Sequence, residues 1–277
     1  MRVFALGDLH LPSLRNKPMD RFGWLGHPGP LGEAWDASVA SDDLVLLVGD
    51  LSWATRAPEA TPDFDWIEAR PGKKVLVKGN HDHWWGDSYN KLTSFLSSYP
   101  SVVGALHDKR AFRFGRVVIA GTRGWTAPEA PSVLVERLPS AELAVPAPLG
   151  TAKSRRQLFD GPSRPASGEM GAELFRADLV EREAKRLAAS IDAARALEAE
   201  LPDAVKIAAM HFPPLYVNGR DTVFSKQIEA WGPTVCVYGH LHGPGISQGF
   251  VGEHGGVPYR LVSCDAARFE PVQIMEV

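Results

Sequence analysis

Seven short apolar runs punctuate the chain: RVFAL (2–6), LVLLV (44–48), KVLVK (74–78), RVVIA (116–120), KIAAM (206–210), TVCVY (234–238) and YRLVS (259–263). They do not alternate strictly between apolar and polar positions, which predicts strands buried on both faces, as in a layered α/β fold. Residues 111–121, AFRFGRVVIAG, read as two strands turned at Gly115, a tight hairpin. Between the runs, helical patterns lie near 61–69, 87–98 and 221–231. A longer helix is expected over about 172–201, where Val180, Ala184, Leu187, Ile191, Ala194 and Leu201 form one stripe and Pro202 closes it. Before it, residues 127–170 are rich in Pro, Ala, Ser and Gly and carry no sustained period, so a long excursion or lid is expected there. With no internal repeat and no second compositional region, residues 1–277 are expected to form a single domain.

Composition adds mainly exclusions. The 277 residues suffice for a sizeable core, and 44% hydrophobic with 23% charged residues is ordinary for a soluble globular chain. A net charge of −3 gives no bulk electrostatic case for duplex DNA or an anionic membrane. No apolar stretch nears the roughly 18 residues that cross a bilayer. The opening MRVFALGDLH reads as a strand running into a polar turn, not as a signal peptide. Cys236 and Cys264 each lie in an apolar run and read as buried, reduced thiols, so a cytoplasmic location is expected.

The chemistry lies directly behind the runs. VFALGDLH delivers Asp8 and His10, LVLLVGD delivers Asp50, and KVLVKGNHD delivers Asn80, His81 and Asp82. KIAAMH delivers His211, and VCVYGHLH delivers His240 and His242. Carboxyl ends of strands converge on the ligand crevice in layered α/β folds, and a glycine there is expected to turn the backbone sharply. A single His at a strand end is ordinarily just a hydrogen-bonded polar residue, and a single GD or GN is ordinarily a turn. Five such blocks in one chain point instead to metal ligands. His10, His211, His240 and His242 with Asp8, Asp50 and Asn80 are too many for one tetrahedral zinc. They suit two ions about 3.5–4 Å apart if Asp50 bridges them.

The ordered series GDLH, GD, GNHD, H and GHLH resembles the calcineurin-like metallophosphoesterases across residues 8–242. That resemblance implies an α/β fold, a four-layer αββα sandwich of two mixed β-sheets flanked by helices. It also implies two divalent ions. Asp8, His10 and His242 would hold the first, Asn80, His211 and His240 the second, and Asp50 both. Manganese suits the mixed nitrogen and oxygen donors and is the expected metal, with iron or zinc as alternatives. His81 would stand unligated beside the phosphate as proton donor or cationic stabiliser, and Asp82 would orient it. A metal-bridging hydroxide would be the nucleophile.

KPMDRFG (17–23), GDLSWA (49–54) and GTRGW (121–125) look like a bacterial branch of phosphohydrolases within that family. Phosphoprotein phosphatases carry an Asp-Arg-Gly after the second block, whereas Ser52 and Trp53 stand here, which argues against that activity. Arg123, Lys78 and Arg56 are offered as phosphate contacts, Arg123 first. Four of the eight tryptophans, Trp53, Trp84, Trp85 and Trp125, lie in strand-end loops. Their rings either pack beneath the loops, the favoured expectation, or stack on a nucleobase.

The activity expected is therefore a phosphodiesterase on nucleotide-like or small phosphodiesters, with single-stranded nucleic acid as a further substrate. The alternatives are a phosphomonoesterase or a pyrophosphatase acting on a nucleotide conjugate. A non-catalytic scaffold would show eroded ligand blocks, and these are intact.

Overall fold

The computed structural model describes residues 1–12, 19–86, 88–106, 110–131, 134 and 176–277. Every predicted strand forms, within about two residues of its expected ends. The first sheet has the order β11-β1-β2-β3-β4: Val272–Glu276, Arg2–Leu6, Leu44–Val48, Lys73–Val77 and Val102–Leu106. The second has the order β5-β6-β7-β8-β10-β9: Phe112–Phe114, Val117–Thr122, Val205–Met210, Val235–Tyr238, Val257–Leu261 and Gly252–His254. Both are mixed. Pairs β1–β2, β2–β3 and β3–β4 are parallel while β11 runs antiparallel to β1. In the second sheet the outer strands β5 and β9 are antiparallel to their neighbours and the rest are parallel.

Successive side chains of each strand go to opposite faces. On the inner faces Val3, Ala5, Leu44, Leu46 and Val48 meet Val117, Ile119, Ile207, Ala209 and Val237, all buried, between the two sheets. The alternate residues Phe4, Leu6, Val45 and Leu47 face outward and pack under α1 (Gly29–Ser38), α2 (Thr61–Glu68) and α3 (Tyr89–Leu96). On the other side Val118, Ala120, Ala208, Met210 and Cys236 pack under α4 (Ala177–Glu198) and α5 (Val223–Trp231). The four layers are thus helix, sheet, sheet, helix. Each fully buried Val or Leu contributes about 1.5–3 kcal/mol, so the inter-sheet layer fixes one sheet against the other.

Of the stripe expected on α4, Val180, Ala184, Leu187, Ile191 and Ala194 are buried, whereas Leu201 lies beyond the helix end at Glu198 and is half-buried. Of the expected excursion, Ala127 and Leu134 are buried in the outer core of the second sheet. Most of 127–170, and the start of the helix expected from 172, lie outside the described residues. Helix α1 and strands β4, β9 and β11 were not expected from the pattern. Cys236 and Cys264 are free and buried, as read from the sequence.

Candidate metal centre

The parallel strands β1, β2, β3, β7 and β8 bring their carboxyl ends together at one edge of the sandwich. Asp8 N–H donates to the Gly49 carbonyl (2.8 Å) and His10 N–H to the Asp50 carbonyl (2.9 Å), lacing the first two loops side by side. The sharp turns fall on the functional residues themselves: φ is +61° at Asp8, +45° at His10, +53° at Asp50 and +74° at His240. Each left-handed non-glycine residue costs about 1–2 kcal/mol, which the surrounding strand ends must offset. This corrects the expectation that the preceding glycines make the turn. Of Gly7, Gly49, Gly79 and Gly239, only Gly49 has positive φ (+97°). Gly79 and Gly239 are needed for room, since a Cβ there would overlap the carboxylates of Asp50 and Asp8.

Ligand atoms of Asp8, His10 and His242 converge within coordinating reach of one another, as do those of Asp8, Asp50 and His211. His242 Nε2 lies 3.3 Å from both Asp8 Oδ1 and His10 Nε2. His211 Nε2 lies 2.8 Å from Asn80 Oδ1 and 3.5 Å from Asp50 Oδ2. The His240 ring is 5.1 Å from the His211 ring. Asp8 Oδ1 and His10 Nδ1 are buried without a hydrogen-bond partner, a costly arrangement unless a cation is coordinated nearby.

The titration of the cluster agrees with a cation site. Burial drives the His10 and His240 imidazoles far below their ordinary range, so both are neutral, the form that ligates metal. Burial opposes charge on His242 as well, yet Asp8 and Asp265 push it up to about 10. Burial likewise disfavours the Asp8 carboxylate, yet His242, His211 and His10 hold it well below the ordinary range. His242 thus holds a proton against the Asp8 carboxylate, which a bound ion would displace. The donor set fits two divalent ions.

A family model for calcineurin-like phosphoesterases matches residues 1–244. The chain belongs to the calcineurin-like phosphoesterases. Members of this family are metal-dependent phosphoesterases that typically carry a dinuclear site. Among relatives, the Gene 66 protein of Mycobacterium phage L5 is 41% identical over 56 residues, 20% of this chain and 27% of that protein. Its counterpart in phage D29 is 37% identical over 83 residues, 29% of this chain and 40% of that protein. The matched parts therefore span less than half of either relative. The solved phosphopantetheinyl hydrolase of Mycobacterium tuberculosis aligns over 95% of this chain and 88% of its own, at 20% identity and a TM-score of 0.44. A Thermus thermophilus protein, TT1561, aligns over 92% and 90%, at 14% identity and a TM-score of 0.47. No described helix is long and apolar enough to cross a membrane.

In this phosphoesterase His81 sits at the open side of the cluster, its side chain 31% exposed and its Nε2 4.0 Å from Asp50 Oδ2. Asp82 does not orient it. The buried Asp82 carboxylate instead accepts from the backbone N–H groups of Asp50, Leu51, Ser52 and Gly79 and from Trp84 Nε1. A carboxylate directed inward beneath the loop cannot also face an imidazole directed outward, so adjacency in sequence misled the assignment. Burial, reinforced by Asp50, raises the Asp82 carboxyl above its ordinary value.

The tryptophans split. Trp84 is 4% exposed and packs on Phe64 and Phe95, so it has no free face for a base. Trp85 is 1% exposed and packs beside it. Trp125 lies against Phe212, whose ring sits 3.9 Å from that of His240. Trp53 stacks on His10 at 4.6 Å and 19°, with His81 also 4.6 Å away. It walls the site from within. Arg123, the leading phosphate candidate, turns instead to the buried Glu183, 3.1 Å away, because burying that carboxylate demands cationic partners. Lys78 donates to the Trp85 carbonyl and Arg56 pairs with Glu59 at 2.8 Å.

Two residues near the cluster escaped sequence reasoning. Trp24 is buried with its ring 5.9 Å from His10 and 5.5 Å from His242. Asp265 accepts from His242 Nδ1 at 2.9 Å. Its signal was present: it follows the run YRLVS as closely as the ligands follow theirs, but no glycine precedes it.

Proposed function

We propose that this phosphoesterase is a phosphodiesterase acting on nucleotide-like or other small diesters, with manganese as its resident metal. Asp8, His10 and His242 would hold one ion, Asn80, His211 and His240 the other, with Asp50 shared. When bound, such ions supply an activated water and neutralise charge on the phosphoryl oxygens. The protein's own part falls to His81. From its exposed position it donates a proton to the leaving oxygen, which departs as an alcohol while water's oxygen stays on phosphorus. Donation of this kind contributes about 10²–10⁴ in rate.

The observation that favours a diester is the engagement of the basic side chains. Arg123, Lys78 and Arg56 are each held by Glu183, the Trp85 carbonyl and Glu59. A phosphomonoester dianion gains more from additional basic side chains than a diester, which carries a single negative charge. The open aromatic and imidazole wall formed by Trp53 and His81 suits an organic group on each side of the phosphorus.

The test is a turnover panel on manganese-loaded protein, comparing an aryl phosphodiester with the matching monoester, then cyclic nucleotides, dinucleotides and single-stranded nucleic acid. The diester should lead in kcat/KM by at least about tenfold, a difference of about 1.4 kcal/mol in activation. A monoester handled equally well or better would sink the reading.

A further inference from the structure

We infer that Asp265 is a positioning residue that makes the two metal positions unequal, so that the Asp8–His10–His242 position fills first. The carboxylate comes from the loop after β10, beyond residue 244 where the family match ends. Asp265 Oδ1 lies 2.9 Å from His242 Nδ1, and Oδ2 accepts the Gly243 N–H at 2.9 Å. One side chain therefore fixes both the ring and the backbone that carries it. With Nδ1–H donating to a carboxylate, Nε2 is the nitrogen turned toward the other proposed ligands, facing Asp8 and His10.

The other position has a weaker support. His211 Nδ1 donates at 3.0 Å to the Val48 carbonyl, a neutral acceptor. A carboxylate behind an imidazole raises its basicity more than a carbonyl does, and such partners tune metal affinity by about 10–100-fold. The loop is itself braced: Gly7 N–H donates to the Val262 carbonyl at 2.7 Å, and Phe269, five residues after Cys264, packs on Trp24. Asp265 therefore approaches His242 from a fixed backbone and is not a mobile surface acid; its side chain is 16% exposed.

This inference rests on the metal reading of the site and is independent of which ester is cut. The experiment is calorimetric titration of chelator-stripped protein with Mn²⁺, free of any turnover assay. Wild type should bind in two resolved steps. Asp265→Ala should weaken the tighter step by about 10–100-fold and leave the weaker one in place. Asp265→Asn, which keeps an acceptor for His242 Nδ1–H and nearly the same shape, should fall between the two. Equal weakening of both steps, or no change in either variant, would overturn the inference. Wild-type protein that binds no divalent ion would overturn the metal reading along with it. The melting temperature of each stripped variant shows whether its fold is intact, and Asp265→Asn decides the matter if Asp265→Ala does not fold.

Discussion

Asp82 and His81 are neighbours in sequence with opposite tasks, and substitution should separate them. Asp82 gathers donors from the Asp50 loop, Gly79 and Trp84, so it shapes the backbone that presents Asp50. Asp82→Ala leaves those buried N–H groups unpaired and should destabilise the protein by about 3 kcal/mol or more, read as a lower denaturation midpoint. Metal content should fall with it. His81→Ala removes a part-exposed ring and should keep the melting temperature and both ions while kcat drops by about 10²–10⁴. Loss of metal from His81→Ala, measured by elemental analysis, would show it to be a ligand.

At the level of strands and helices, two glycines make a controlled comparison. Gly79→Ala places a methyl group against Asp50 and should lose metal and activity. Gly115→Ala, at the tip of the β5–β6 hairpin with φ +57° and open space around it, should cost about 1–2 kcal/mol and leave activity unchanged. A second junction, between β9 and α5, should respond to pH. His254 Nδ1 lies 2.8 Å from Glu229 and its Nε2 3.7 Å from Asp221, and the hydrogen bond to Glu229 raises its titration above 6.5. A raised folded value gives a stabilisation that is complete below 6.5 and lost as pH climbs through the raised value. His254→Gln should therefore melt below wild type at acid pH and converge with it at alkaline pH; parallel curves would remove His254 from the account.

The strands that carry the ligands were legible because each is a solid apolar run ending in a donor, in all but KIAAM by way of a glycine. Those that escaped lack that contrast. In β11, VQIME, apolar residues alternate with polar ones beside an edge, and in α1, GPLGEAWDAS, Gly and Pro obscure the helical stripe that Leu31 and Trp35 nonetheless bury. The left-handed turns at Asp8, His10, Asp50 and His240 were not read: Asp and His are enriched at positive φ, but only a few per cent of non-glycine residues adopt it, so residue type alone does not mark the position. Arg123 was misplaced for a different reason: its partner Glu183 lies sixty residues away on α4, and only packing brings the two together.

For the whole molecule, core and proposed metal cluster adjoin at Trp24 and Trp53, which pack beside His10. Apolar side chains alone fill the layer between the two sheets, so the sandwich does not depend on metal for that interior. Chelation should therefore abolish turnover reversibly and lower the melting temperature without unfolding the chain. The stabilisation returned by metal should be about 2.7 kcal/mol at a hundred times the dissociation constant. Collapse of circular dichroism on chelation at room temperature would show instead that the ions hold the fold together.

The bridge between Gly7 and Ser263, beside the bond from Gly7 to Val262, joins β1 of one sheet to the end of β10 in the other. It acts as the spine of a book whose two boards are the sheets, and the proposed ligands stand along that spine. Asp8, His10, Asp50 and Asn80 belong to one board, His211, His240 and His242 to the other. The tie between the two halves of the ligand set is thus made by main chain. Loading the chain with manganese, iron or zinc should leave that tie nearly unaltered, so the choice among them would fall to supply and relative affinity and not to the frame that receives them.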